Sequence, residues 1–490
     1  MGTNINVLVF APINTWEAHE AITLEIILTE LEQGNQVIRI QCQAALVTCP
    51  ANRQHRLTKC NECQIRGKNT SAIINSTNAS FFDVWMNREE IAQRDINLAF
   101  YGYRFSELQS FNYDNFSFGS YVYGELISEN EDIFLNEERD GERAAELLKI
   151  SVQLYEYFLE QLAVHKVERV YIWNGRRSPE AALAFAAKKL GVDVLYFNLG
   201  SNFNKYLLSK MPCSQIEGVN AEVKEWKKTR LKLGQRKKMK LEAESYFRGL
   251  RNGTSEIPHY ENFMSGYSKF ELSQLKENGK KILVIFTSSM WEYKTSPSIA
   301  SLNEEFQNQY EVYRKIGSHP QILEVYRIVF RWHPNLRRAG QFESLEVKRT
   351  IEMCTKVIHV LPDDLINSYS ILDAAYAVIT TGSTIGIEAA IAGKPSILLG
   401  IAPYQGLGSV HEPKSFDELL KLLLGPIRSL PKEGAWAYGD WYRNFGVQLS
   451  HVQEKNQKYW ISHKRVHQDL SLLFRIRRKL QEISFLGIKL

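Results

Sequence analysis

Residues 376–400 read Tyr-Ala-Val-Ile-Thr-Thr-Gly-Ser-Thr-Ile-Gly-Ile-Glu-Ala-Ala-Ile-Ala-Gly-Lys-Pro-Ser-Ile-Leu-Leu-Gly. The apolar run Ala377–Ile379 is short and bounded by small polar residues, as a buried parallel strand is. Thr380-Thr381-Gly382-Ser383-Thr384 turns the chain, and Ile385–Ala392 has helical spacing. Gly393 closes that helix, Pro395 forbids its continuation, and Ser396–Leu399 supplies the next strand. A strand, a small-residue turn, a helix and a strand follow one another. The turn presents backbone N–H groups at a helix start, beside the hydroxyls of Ser383 and Thr384, and this favours a phosphate or diphosphate. A glycine-rich connection without a ligand is the alternative.

Outward from this stretch, the 490-residue chain has room for two or three domains with buried cores. With 44% hydrophobic and 23% charged residues it has the composition of an ordinary globular protein, and a net charge of +5 singles out no partner. No apolar stretch approaches the roughly 18 residues that span a bilayer. The start of the chain, Met1–Phe10, lacks a basic leader and runs straight into a strand, so a cytoplasmic protein is expected.

Ile5–Phe10 reads as a first strand, Trp16–Gln33 as a helix capped by Gly34, and Gln36–Ile40 as a second strand. The loop Asn14–Glu20 lies beyond the carboxyl end of the first strand, where open parallel sheets bind ligands. His19 and Glu20 are thus placed to take a proton from a hydroxyl. The plainer alternatives are an imidazole packed beside Trp16 and a solvated first-turn carboxylate. Cys42, Cys49, Cys60 and Cys63 follow, four of the six cysteines. Their clustering suggests a structural zinc or iron–sulfur site, with unliganded thiols or a redox pair as alternatives. Residues 69–136 are rich in aromatics, including Phe81, Phe82, Trp85, Tyr101 and Tyr103, which suit either carbohydrate faces or plain packing. The acidic run Glu129–Glu142 reads as a solvated loop. Helix Gly141–His165, strand Val167–Trp173 with Asn174, Gly175 and Arg176 at its carboxyl end, helix Pro179–Leu190 and strand Val192–Phe197 complete a Rossmann-like half.

Residues 222–240 carry nine Lys and Arg with Trp226 and Leu231 interleaved. They read as a solvated helix face or as a contact with an anionic membrane; no nucleic-acid motif accompanies them. A second first strand, Ile282–Phe286, leads into a loop containing Ser288 and Ser289. Strand Tyr326–Trp332 ends in Arg331-Trp332-His333-Pro334, strand Val357–Leu361 follows, and Ser368–Ala374 is helical. This is a second Rossmann-like half. The division expected is 1–215, a connection over 216–278, 279–430, and C-terminal helices over 431–490, for which a crossing back to the first half is considered; Phe416–Leu424 and Trp460–Ile483 read as helical.

A His-Pro after one strand, together with Gly-Ser-Thr-Ile-Gly-Ile-Glu-Ala and Gly-Lys-Pro after another, resembles the bacterial capsular-polysaccharide biosynthesis glycosyltransferases of the two-domain (GT-B) type, a set that includes the capsule Kdo transferases. Asn174-Gly175-Arg176, the Ser288–Tyr293 loop and the Cys cluster are similar to features of related sequences. Asn198 departs from them, since relatives often carry Glu there.

The resemblance implies an α/β protein of two Rossmann-like domains facing a cleft. The C-terminal domain would hold a nucleotide sugar and the N-terminal one a glycan or lipid-linked acceptor. Gly382, Ser383 and Thr384 would bind the donor phosphates without a metal, and Glu388 would accept from the ribose. Arg331 and His333 would neutralise phosphate charge, and His19 or Glu20 would be the base. Ser288 and Ser289 join the donor set; Asn174, Gly175 and Arg176 lie on the acceptor side. No cofactor is required for the chemistry, and a peripheral contact with the inner face of a membrane is compatible with the basic segments. The alternatives are a sugar-nucleotide 2-epimerase or a polyol-phosphate transferase of similar fold.

Overall fold

The computed structural model describes residues 4–75, 80–94, 96, 104–213, 215–254, 279–295, 304–461 and 463–467. The chain divides into two compact units: residues 1–125, 137–213 and 446–490 form the first, residues 126–136 and 214–445 the second. The segment 216–252, expected as a connection, is therefore part of the second unit. Of the expected 431–490 tail, residues from Gly446 onward return to the first.

The first unit is built on strands β1 (Asn6–Phe10), β2 (Gln36–Cys42), β3 (Phe81–Met86), β4 (Arg169–Trp173), β5 (Asp193–Leu199) and β6 (Lys205–Ser209). The sheet runs β3-β2-β1-β4-β5-β6 and ends in β12 (Val447–Gln448). β1 to β5 are parallel, whereas β6 and β12 are antiparallel additions. The central strands are buried on both faces, Val7, Leu8, Val9 and Phe10 fully, which is why they read as continuous apolar runs. β3 was hidden in the aromatic region, where its Phe-Phe-Asp-Val-Trp-Met lacks such a run.

The second unit has strands β7 (Lys281–Phe286), β8 (Tyr326–Arg331), β9 (Ile358–Val360), β10 (Ala377–Thr380) and β11 (Ser396–Leu398), all parallel in the order β9-β8-β7-β10-β11. Both units are thus doubly wound, with the strand order reversing between β1 and β4 in the first and between β7 and β10 in the second.

Two expectations are corrected. The acidic run Glu129–Glu142 is no solvated loop: Asp132 is buried and accepts from the N–H of Phe342 (2.8 Å), anchoring the start of helix Gln341–Met353, and helix Glu137–Val164 begins within the run. The helix expected from Trp460 is a small sheet, β13 (Gln453–Lys455), β14 (Lys458–Ile461) and β15 (Lys464–Arg465). Asn456 and Gln457 both have positive φ, as the two-residue turn between β13 and β14 requires. Residues 468–483 of that helix lie outside the described residues, as do Tyr101 and Tyr103. Among the described residues no helix is long and apolar enough to cross a membrane.

Candidate functional site

At the point of reversal in the second unit, two hydroxyl-rich loops meet. One follows β7 and carries Thr287, Ser288 and Ser289; the other follows β10 and carries Thr381, Gly382, Ser383 and Thr384. Thr381 Oγ1 lies 3.0 Å from Ser288 Oγ, 3.1 Å from Gln309 Oε1 and 3.0 Å from Tyr313 Oη, and Gln309 Nε2 donates to the Ser288 carbonyl at 3.1 Å. All four side chains are buried, so the loops are fixed to each other without help from water. Ser288 is consumed in this lock. Ser289 is not: its hydroxyl is fully buried with no hydrogen-bond partner among the described residues, a position that costs free energy unless a ligand satisfies it.

The β10 loop leads into helix Ile385–Ile391. Within that helix start, the N–H groups of Gly386, Ile387 and Glu388 fold back on the carbonyls of Ser383 and Thr384. Those of Ser383, Thr384 and Ile385 are bonded to no described residue, which leaves three adjacent donors for an anion. Tyr404 Oη donates to the Ser383 carbonyl at 2.6 Å and braces the turn from below. Glu388 is buried and accepts from Tyr369 Oη at 2.6 Å. Burial raises its pKa, while hydrogen bonds from Tyr369 and Thr384 oppose the rise. Its carboxylate thus braces the loop from the helix side.

His333 follows β8. Its backbone N–H donates to Thr287 Oγ1 (2.9 Å), and its Nδ1 accepts from the N–H of Asn335 (3.2 Å). Burial, and then the charge of Arg331, push its pKa down to about 4. The ring is therefore neutral at pH 7, and the bond to Nδ1 assigns its proton to Nε2, making it a donor. Arg331 itself is buried, with Nη1 donating to the Leu361 carbonyl at 2.6 Å. Its side chain is packed inside the unit rather than open at the strand end.

In the first unit the corresponding point lies between β1 and β4. His19 packs edge-on to Trp173 (5.1 Å between ring centres) and beside Trp16 (5.2 Å), so the imidazole and the carboxyl end of β4 are brought together. Asn174 and Gly175 both have positive φ there, and Asn174 Oδ1 is buried without a hydrogen-bond partner. Arg176 is half-buried on the same loop.

Glu20 has a different role. Both of its oxygens accept from Arg39 Nη2 (2.9 and 2.7 Å), and both side chains are fully buried. Asn14 Oδ1 also accepts from Arg39 Nη2 (2.7 Å), and Asn14 Nδ2 donates to Gln41 (2.9 Å). A Cβ on Gly67 would lie 2.0 Å from Gln41 Oε1 and 2.4 Å from Asn14 Nδ2, so any larger residue there would push the Asn14 and Gln41 side chains out of this network. Glu20 is the counter-charge of Arg39, and its carboxylate is fully buried against Arg39 and Thr70, closed off from a substrate hydroxyl.

Cys60 and Cys63 lie on one face in the opening turns of helix Leu57–Asn75. Cys63 Sγ accepts from the N–H of Asn14 (3.3 Å) and Cys60 Sγ from Asn52 Nδ2 (3.2 Å), while the N–H of Asn52 reaches the Cys49 carbonyl (3.0 Å). Backbone N–H groups of Ala45 and Leu46 face the Cys42 sulfur, and those of Ala51 and Asn52 face Cys49. Burial pushes the Cys42 thiol up to about 11 and the Cys63 thiol up to about 12. Among the described residues no three His, Cys, Asp or Glu side chains converge as a metal site. The amide donors suit thiolate sulfur, but the side chains as placed do not form a closed tetrahedron.

Sequence reading missed the brace residues Gln309, Tyr313, Tyr369 and Tyr404, each far along the chain from the loop it holds. It also missed a trio beside Asn174: half-buried Arg177 bonds buried Glu125 (2.7 Å), and burial raises the pKa of neighbouring Glu180 to about 8.

Residues 324–417 match the model of a family described as Capsule polysaccharide biosynthesis protein. Over that stretch the chain is similar to capsule-synthesis proteins. It spans β8, His333, both sides of the β10 turn and Glu388, so the resemblance seen in the motifs falls on the loops just described. No curated protein matches the chain significantly. Among solved structures, the beta Kdo 2,7 transferase KpsC of Thermosulfurimonas dismutans aligns at 17% identity over 58% of this chain and 79% of its own, with a TM-score of 0.34. The UDP-GlcNAc 2-epimerase of Methanocaldococcus jannaschii aligns at 13% identity over 88% of this chain and 98% of its own, with a TM-score of 0.30. At these scores neither alignment bears on the role of any residue.

Proposed function

We propose that the chain is a glycosyltransferase of surface-polysaccharide synthesis that takes its sugar from a nucleotide-sugar donor. The observation that carries this reading is the meeting of the Ser289 loop with the Gly382–Thr384 loop at the point of strand reversal; the second of these loops lies inside the capsule-synthesis segment, as does His333. The three open N–H groups of Ser383–Ile385 and the Nε2–H of His333 are donors that need no reorganisation as charge develops on a departing nucleotide. In the first unit His19 is the base we assign to the acceptor hydroxyl; Asn174 and Arg176 lie on the loop beside it.

A thermal-shift screen against UDP-, CMP-, GDP- and dTDP-sugars and the free nucleotides tests the donor site. One nucleotide family is expected to raise the melting temperature, and the double substitution S383A/T384A to weaken its binding by roughly tenfold, about 1.4 kcal/mol. Unchanged affinity by calorimetry would remove the site from Gly382–Thr384. Turnover of the bound sugar nucleotide to its 2-epimer without any acceptor would favour the epimerase alternative.

We also assign Cys42, Cys49, Cys60 and Cys63 as the residues that would hold a structural zinc or iron–sulfur centre. In support are the N–H donors aimed at all four sulfurs, an arrangement typical of the outer shell around bound thiolates. When bound, the metal would supply cross-links between the β2 end, the following loop and helix Leu57–Asn75. C60S/C63S is expected to lose the metal, by elemental analysis, and roughly 3 kcal/mol or more of stability. Full-length protein purified anaerobically with neither zinc nor iron, and no stability change in the variant, would leave four plain thiols.

A further inference from the structure

Helices Ile216–Lys232 and Arg236–Asn252 are joined by a short turn at Leu233–Gln235, where Gly234 takes a left-handed φ of 66°. Their inward faces are fully occupied. Val223, Met239, Ala243, Tyr246, Phe247 and Leu250 are buried, and Trp226 Nε1 and Arg230 Nε both donate to Asp440 at 2.7 Å. The junction points the other way. Leu231, Leu233 and Leu241 are 38%, 61% and 57% exposed, and a Cβ built on Gly234 would meet nothing within 4 Å.

The junction itself is basic, with carboxylates at its edges, where Lys228 pairs with Glu225, Arg236 with Glu433 and Lys240 with Glu244. Between Lys227 and Leu241 there are eight Lys and Arg and no Asp or Glu, and Lys228, Lys232, Arg236, Lys237, Lys238 and Lys240 are exposed. Lys232, Lys237 and Lys238 form no ion pair with a described residue. Three leucines set among basic side chains would gain nothing against a nucleic-acid backbone, which has no apolar surface to cover them. A bilayer with anionic headgroups satisfies both features: the leucines enter the acyl boundary while the long basic side chains reach back to the phosphates.

We propose that this helical junction docks on an anionic lipid bilayer. Full-length protein is mixed with phosphatidylcholine vesicles with and without phosphatidylglycerol and sedimented. It is expected to co-sediment only with the phosphatidylglycerol vesicles and to be released as salt is raised. K232Q/K237Q/K238Q should weaken partitioning by roughly a hundredfold, about fivefold per lysine. L231S/L233S/L241S should weaken it by roughly tenfold or more even at low salt, which a purely electrostatic contact would not show. Partitioning that ignores phosphatidylglycerol, or that either variant leaves unchanged, overturns the proposal. So does retention on DNA without vesicle binding. All six side chains are exposed, so neither variant should alter the melting temperature. The nucleotide-induced shift should also survive in both, so this proposal and the transferase reading stand or fall separately.

Discussion

Glu20→Ala should cost the protein about 3–5 kcal/mol of stability, measured by denaturant unfolding, because it leaves Arg39 as a fully buried charge without its carboxylate. The loss belongs to the stranded cation more than to the pair. The double substitution E20L/R39M should therefore recover much of it, giving a large favourable coupling in a double-mutant cycle. Nucleotide binding by the second unit should be untouched. The result that would restore Glu20 as a base is E20Q at full stability with the transfer reaction abolished. His19→Ala is the complementary case: the ring is only half-buried between two tryptophans, and its removal should lower turnover far more than stability.

The second large effect is expected at Gly400, just after β11. A Cβ there would sit 1.9 Å from the Thr381 carbonyl oxygen and 2.7 Å from its carbonyl carbon. Backbone cannot step aside as a side-chain tip does, so Gly400→Ala must displace the loop that carries Gly382–Thr384. We expect a loss of about 3 kcal/mol and of the nucleotide-induced thermal shift. Should that variant unfold, Ser288→Ala gives a gentler probe: it removes one contact of the Thr381 lock, about 1 kcal/mol, and should weaken nucleotide binding without unfolding the chain. Wild-type affinity in a folded Gly400→Ala or in Ser288→Ala would place the nucleotide elsewhere.

Much of the fold could be read directly, because a strand buried on both faces must be an unbroken apolar run, and β1, β4, β7 and β10 are such runs. The ends of strands were legible too, and with them Ser289, His333 and Ser383. What escaped depends on distance along the chain. Glu20 looked like a free carboxylate at a helix start, yet the contrary signal was present: Arg39 interrupts Val37-Ile38-Arg39-Ile40, and an ion inside a central strand demands an opposite charge from somewhere. The sequence names the need but not the supplier. The burial of Arg331 escaped for the same reason, since the Leu361 carbonyl that accepts from its Nη1 lies 30 residues further on. The β13–β15 hairpins were lost because β13 and β15 are short and rich in Lys, Glu and Gln, while the apolar Tyr459-Trp460-Ile461 of β14 read as part of a helix, and only Asn456 marked the turn.

The way the first unit closes bears on the order in which the protein is made. Glu25, buried in the first helix, accepts from the N–H groups of Ser450 (2.7 Å), His451 and Val452 (both 2.8 Å) and from the Ser450 hydroxyl (2.6 Å). Until that late segment leaves the ribosome, this carboxylate has none of those four donors, and the β6 edge waits for β12. The unit begun first is the one finished last. A released chain ending at Phe445 should already hold a protease-resistant second unit while residues 1–125 remain open to cleavage.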